Sequence, residues 1–144
     1  MNIKKSIQVF SLVLLAGLMF IGINAQTLEG EWKLVKAKKN GERVIFNKEI
    51  KTTLMFGEEN RMSGNAGCNR YSTTYKLEDK KKIDFQPIIS TKMACAGDEL
   101  MKQENTFFSV IDKTDKYKIK GNYLIFFDET KQNLLQFARV YKQN

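Results

Sequence analysis

The two cysteines are the side chains of this sequence best suited to covalent chemistry. Cys68 lies in the glycine-rich segment 64–71, and Cys95 ends the segment 90–95. Their separation of 27 residues is not the close CxxC spacing of a catalytic thiol pair. A disulfide between them would stabilise the fold by about 3–4 kcal/mol in the chain-entropy description. We predict that disulfide and keep paired buried thiols and a thiol enzyme as alternatives.

The absence of histidine removes much of the remaining catalytic chemistry. Cys-His and Ser-His-Asp nucleophiles both need an imidazole base. A zinc site would have to combine the cysteines with carboxylates, which is an uncommon set. The glycine-rich segment lacks the Lys-Ser/Thr pair of a phosphate-binding loop, so its glycines favour a bend or bulge. We therefore expect no catalytic residue, no metal and no cofactor, and hence no enzyme.

Glu104 is the acidic residue whose position in the sequence is least typical of a solvent-exposed side chain. It interrupts an apolar stripe of helical period, and a partly buried carboxyl group must be hydrogen-bonded or ion-paired. Asn69 and Arg70 are the candidate partners, provided that the cysteines bring their loop near the helix. We predict a structural tie here, with a catalytic acid as the alternative.

The secondary structure predicted around these residues consists mostly of strands. Trp32 and Leu34 lie on one face of an alternating segment, and Asn40-Gly41 supplies the positive φ of a tight hairpin. The pattern predicts a mainly β domain with one helix (α+β), closing as a small antiparallel barrel or a strongly curled sheet. The predicted strands are 30–37, 43–46, 50–56, 61–66, 71–77, 83–87, 89–94, 117–119, 124–126 and 134–141.

One segment, 98–112, has the period of a helix instead. Asp98 is the expected N-cap residue, and Glu99 suits the positive end of the helix dipole. The residues expected on the buried stripe are Leu100, Met101, Glu104, Phe107, Phe108 and Ile111.

The first residues are typical of an export signal. Two lysines precede an apolar stretch over 9–23, and Ala25 supplies the small residue at a cleavage site. A membrane anchor is the alternative, but about 15 apolar residues fall short of the roughly 20 that span a bilayer. We predict a signal peptide over 1–25 and a mature domain over 26–144, periplasmic or secreted. No lipid-acceptor cysteine follows the apolar stretch, so no stable membrane anchor is expected.

The formal net charge of +8 has two interpretations. A basic chain can bind nucleic acid or an anionic surface. The lysines are scattered and the chain is predicted to be exported, so nucleic acid is not an expected partner. A solvated surface explains most of the charge, with weak attraction to acidic polysaccharide or lipopolysaccharide as the alternative.

Four segments occur in an order that resembles the META domain family, which includes HslJ-like heat-shock proteins. They are 30–34, 63–71, 90–95 and 104–107. The resemblance implies a compact β-rich domain with one helix in the bacterial envelope, linked to stress or drug tolerance, with no established catalytic activity. Many family members resemble lipoproteins, which this chain does not. The resemblance also marks motif positions as candidates for interaction. They are Trp32, Gly64, Gly67, Asn69, Arg70, Tyr71, Thr91, Met93 and Glu104.

The expected function is therefore that of a non-enzymatic, stress-associated envelope protein that binds a protein partner. The surface expected to carry binding comprises the strand edges and the region 69–71. One alternative is a carrier of a small apolar ligand inside the barrel, which would require an aromatic-lined internal cavity of roughly 300 Å³ or more. The other is a hydrolase or thiol enzyme, which would require a cleft with two titratable groups in opposed environments.

Overall fold

The computed structural model describes residues 27–47, 49–79 and 81–141. The predicted signal peptide, 1–25, lies outside these ranges. Within them the chain forms ten strands and one helix. These are β1 (Gly30–Lys39), β2 (Glu42–Val44), β3 (Thr53–Phe56), β4 (Arg61–Asn65), β5 (Arg70–Leu77), β6 (Ile83–Phe85), β7 (Ile89–Ser90), α1 (Asp98–Ile111), β8 (Lys116–Lys120), β9 (Tyr123–Phe127) and β10 (Leu134–Arg139).

The strands form one antiparallel sheet that curls until its two ends meet. The order is β6-β5-β4-β3-β1-β10-β9-β8, with β2 paired to β1 and β7 paired to β5. A bridge between Lys82 and Lys116 joins the ends, and the Ile83 amide donates to the Asp115 carbonyl at 3.0 Å. Near-closure of this kind pairs edge groups that would otherwise be left free. The predicted fold class, a small antiparallel barrel with a single helix, is confirmed.

Aromatic rings fill the centre of the barrel. The ring of Phe126 lies edge-on to Phe137, with centroids 5.6 Å apart, and Phe85 approaches Phe126 at 5.3 Å. Phe107 of α1 packs on Phe137 at 6.5 Å, so the helix completes the same cluster. Edge-to-face pairs at these distances are favourable beyond the area that they bury. The rings occupy the space that the carrier hypothesis assigns to a ligand.

Strand β1 departs from simple alternation at Val35. Leu34 pairs with Phe137 and Lys36 with Gln136, which leaves Val35 as the extra residue of a bulge. Val35 and Lys36 are therefore both exposed, and Ala37 returns to the core. A bulge of this type bends the strand and redirects its side chains.

Helix α1 lies where the period predicted it, but its start and its buried face differ from the prediction. Gly97, with φ of 103°, precedes the helix and no side chain caps it, so Asp98 is its first residue and not its N-cap. Met101 is 38% exposed, contrary to expectation. The helix is rotated so that Gln103 and Val110 take buried positions beside Glu104, Phe107 and Ile111.

Several predicted strands are too long. The segment 50–56 is a strand only from Thr53, 83–87 ends at Phe85, and 134–141 ends at Arg139. The largest difference is at 89–94, of which only Ile89–Ser90 is a strand. The residues after Ser90 are held by side-chain hydrogen bonds and by the disulfide, described next.

Candidate functional site

Cys68 and Cys95 are joined by a disulfide, as the sequence predicts. Their Cα atoms are 6.1 Å apart, which is within the usual range for a bridge. The bond ties the loop after β4 to the segment that leads into α1. Bonded sulfurs carry no free thiolate, so in this state neither is the nucleophile that a thiol enzyme needs.

Asn69, next to the bridge, is the centre of a hydrogen-bond network. Its side-chain Nδ2 donates to Glu104 Oε1 at 2.8 Å. Its Oδ1 accepts two bonds, from the Thr91 hydroxyl at 2.8 Å and from the Met93 amide at 2.9 Å. Its backbone carbonyl accepts from the Ala66 amide at 2.9 Å. One buried side chain thus connects three separate stretches of chain.

Glu104 is the helix member of this network and is only 5% exposed. Its Oε2 accepts the Asn69 amide at 2.7 Å, so both carboxyl oxygens bind the same residue. Of the two partners proposed from the sequence, Asn69 is the one used. The Arg70 side chain is exposed, and its backbone amide donates to the Thr91 hydroxyl at 3.2 Å. We call Cys68, Asn69, Thr91, Cys95 and Glu104, with the backbone of Met93, the Asn69 node.

Gln103 makes a second attachment of the helix that the sequence did not reveal. Its Oε1 accepts the Asn47 amide at 2.9 Å, and its Nε2 donates to the Thr52 hydroxyl at 3.3 Å. The signal was available, since a glutamine four residues before Phe107 falls on the stripe of helical period. Consecutive residues of α1 therefore fix two different loops of the barrel.

The backbone geometry requires glycine at both motif positions, 64 and 67. Gly64 pairs regularly with Leu54 within β4, so the predicted bend does not occur there. Instead, any Cβ at this position would collide with the Thr53 backbone. Gly67 has φ of 128°, a conformation that other residues rarely adopt, and this matches the expected bend.

Trp32 and Tyr71 are core residues. The Tyr71 hydroxyl donates to the Thr53 carbonyl at 3.0 Å, and burial raises the pKa of that phenol. Trp32 donates through Nε1 to the Leu28 carbonyl at 2.8 Å, and the Arg139 guanidinium lies 4.1 Å from its ring centroid. Because Asn69 and Tyr71 are both buried, Arg70 is the member of the segment 69–71 left on the surface.

Among the clefts that the described residues form on the outside of the barrel, two are large enough and sufficiently different in lining to compare. One, of about 630 Å³, lies between α1 and the chain around β6, where Asp84 and Asp112 line it. The other, of about 380 Å³, lies between β1, β2 and the segment that follows β2, and is the more apolar. In the part of the chain that the structure describes, no three metal-ligating side chains gather, and no helix is long and apolar enough to span a bilayer.

A family model for the META domain matches residues 25–141, which is most of the chain. The chain belongs to the META domain family. The Asn69 node of this META domain lies within the residues that the family model matches. No curated protein matches the sequence.

Solved structures support the fold of this META domain. A protein from Burkholderia xenovorans, solved by NMR, matches with a TM-score of 0.68 at 22% identity, covering 80% of this chain and 85% of its own. A second NMR structure matches with a TM-score of 0.57 at 24% identity, over 79% and 92% of the two chains. A DUF4847 family protein from Bacteroides vulgatus matches with a TM-score of 0.59 at 17% identity, over 85% and 100%. At these identities the likeness concerns the fold alone.

Proposed function

We propose that this META domain protein is exported to the bacterial envelope and acts there, without catalysis, by binding a protein partner. The lysines and apolar stretch of residues 1–25 support export. The Cys68–Cys95 disulfide is compatible with an oxidising compartment. The family resemblance adds an association with stress. A binding role is favoured because the motif side chains that could do chemistry have their polar groups occupied inside the Asn69 node.

The observation that carries the proposal is an exposed apolar surface built on that node. Ile89 is 75% exposed and Met93 is 54% exposed. Ile89 pairs with Ser72 across the short ladder of β5 and β7, and the Thr91 amide bonds the Arg70 carbonyl at 3.0 Å. Because Ile89 lies opposite Ser72, two residues after Arg70 on β5, the side chains of Arg70 and Ile89 point to the same outer face. We call Arg70, Ile89, Thr91 and Met93 the β7 face.

The backbone that carries the β7 face is ordered by hydrogen bonds and by the disulfide. The Met93 amide is bonded to Asn69 Oδ1, and the disulfide fixes Cys95 two residues later. A surface that is already ordered loses little conformational entropy on association, so more of its contact energy appears as affinity. Arg70 and Lys92 add positive charge, so the matching surface is an apolar patch bordered by acids.

The test uses the mature chain, residues 26–144, as bait against envelope extract, followed by calorimetry with the purified partner. Ile89→Asp with Met93→Asp should weaken binding at least tenfold, since apolar anchors at an interface centre dominate its energy. Tyr123→Asp, an exposed aromatic on β9, is the matched control and should leave affinity unchanged. Equal weakening by both variants would show that the β7 face is not the binding surface. Turnover of a substrate would show that the protein is catalytic.

A further inference from the structure

The smaller cleft is a second candidate site, separate from the β7 face. Its volume of about 380 Å³ is near the lower end of the roughly 300–1,000 Å³ that small-ligand pockets occupy. Apolar side chains form most of it, and we call it the β1–β2 groove. Its apolar lining is Leu34, Val35, Ala37, Val44, Ile45, Phe46 and Ile50.

The groove presents apolar surface that the fold does not cover. The bulge in β1 turns Val35 outward, where it is 52% exposed. Ile45, just after β2, is 90% exposed. A lone exposed residue needs no explanation, but an apolar group concentrated in one concave site indicates a binding surface. The exposed side chains lie where a ligand tail would make contact.

The charge of the groove is of one sign. Lys33, Lys36 and Arg43 line it, and among the residues that the structure describes no acidic side chain does. Among the described residues the ion pairs are Arg61 with Glu59 and Lys116 with Glu129, so none of the three groove cations is neutralised in this way.

The polar side chains at the floor of the groove are already occupied. Gln103 bonds to Thr52 and to the Asn47 amide, as described above. A ligand therefore finds apolar contacts within the groove and positive charge at its sides. The larger cleft differs, because Asp84 and Asp112 would repel an anion there.

We propose that the β1–β2 groove binds one molecule of a single-tailed amphipath with an anionic head group, such as a fatty acid. The tail lies along Val35, Ile45 and Phe46, and the head group lies against Lys36 and Arg43. This inference does not depend on the proposed protein partner, because the groove and the β7 face share no residue. It also moves the carrier hypothesis from the filled interior of the barrel to its outer surface.

The first experiment is a calorimetric and NMR titration of the mature, disulfide-bonded chain with dodecanoate below its micelle concentration. Dodecanol and dodecyltrimethylammonium carry the same tail with neutral and cationic head groups. We expect saturable binding at one site, tightest for dodecanoate and weakest for the cation, with shifts at Val35 and Ile45. Removing methylenes should lower affinity by up to about fourfold each. Added salt should weaken dodecanoate most.

Variants locate the site. Ile45→Asp should reduce dodecanoate affinity at least tenfold without unfolding the protein, since the side chain is exposed. Lys36→Glu with Arg43→Glu should abolish the preference for dodecanoate over dodecanol. Lys76→Glu is the control, since it reverses an exposed charge on β5, a strand that contributes no residue to the groove. No saturable binding, equal affinity for the three head groups, or shifts centred on Asp84 and Asp112 would overturn the proposal. So would binding to anionic vesicles without binding to monomeric dodecanoate.

Discussion

The Asn69 node and the β1–β2 groove are attached to the same turn of α1 but have opposite characters. Glu104 faces the node, where each side-chain polar group has a partner and a disulfide adds a covalent link. The adjacent residue, Gln103, faces the floor of the groove, whose cations and exposed apolar side chains have no such partners among the described residues. Saturated polar networks rigidify a fold, whereas unsatisfied surface is available to a ligand. None of the motif positions singled out from the sequence lines the groove.

Removing the disulfide should have the largest effect on the node. The double substitution Cys68→Ser and Cys95→Ser should lower the free energy of unfolding by about 3–4 kcal/mol, because the unfolded chain regains the entropy of a 27-residue loop. Urea unfolding of both proteins measures the difference. Ile45→Asp in the groove should change stability by less than about 0.5 kcal/mol. A smaller loss of stability for the cysteine variant than for the groove variant would show that the disulfide does not stabilise the node.

The next effect concerns the backbone beneath the node. Gly64→Ala should cost about 3 kcal/mol, because the new methyl group meets the Thr53 backbone, which cannot move away without disturbing the sheet. Gly57→Ala is the matched control, since nothing lies within 4 Å of its Cβ position. Thermal and urea unfolding should separate the two variants clearly. Equal stability would show that β3 and β4 can separate at little cost.

Loss of the helix carboxyl group should have a smaller effect. Glu104→Ala should cost about 1–3 kcal/mol, since it leaves the buried amide and side chain of Asn69 without acceptors. Glu99→Ala, which removes an exposed acid from the same helix, should cost less than about 1 kcal/mol. If the two variants unfold at the same urea concentration, Glu104 contributes no more than a surface acid.

The smallest expected effect lies outside both regions, in the turn between β9 and β10. Burial opposes ionisation of Asp128, but hydrogen bonds from Asn133, Thr130 and Gln132 outweigh it and lower the pKa below 3.8. The ionised group is therefore favoured by folding. Its contribution to stability is present above about pH 4 and is lost as the pH falls through the folded pKa.

Asp128→Asn tests this directly. The stability difference between wild type and variant should shrink as the pH is lowered from about 5 to about 2.5, measured by urea unfolding at each pH. Asp79→Asn, an exposed acid in another turn, should show no comparable change. A stability difference that grows at low pH would mean that folding raises the pKa of Asp128 instead of lowering it.

Local features of the fold were the easiest to predict from the sequence. The hairpin at Asn40-Gly41 follows from its positive φ angles, 51° and 87°, which those residue types permit. The helix follows from a period that tertiary contacts did not override. The disulfide follows from having a single pair of cysteines in a chain that is predicted to be exported.

Non-local features were not predictable in the same way. The bulge at Val35 depends on the register with β10, and the closure of β6 on β8 depends on residues distant in sequence. The rotation of α1 buries Gln103 and exposes Met101. Packing against the barrel determines this rotation, whereas hydropathy alone would predict the reverse. Asn69 and Arg70 were equivalent as partners for Glu104 until the loop geometry was known.

The residues of the Asn69 node should stabilise the fold together, as one network. The decisive experiment is a double-mutant cycle of Asn69→Ala and Glu104→Ala, followed by urea unfolding. We predict that each single substitution destabilises the protein and that the double variant loses about 1–2 kcal/mol less than the two single losses added together. Additive losses, or two single variants as stable as wild type, would show that Asn69 and Glu104 do not stabilise the fold as a pair.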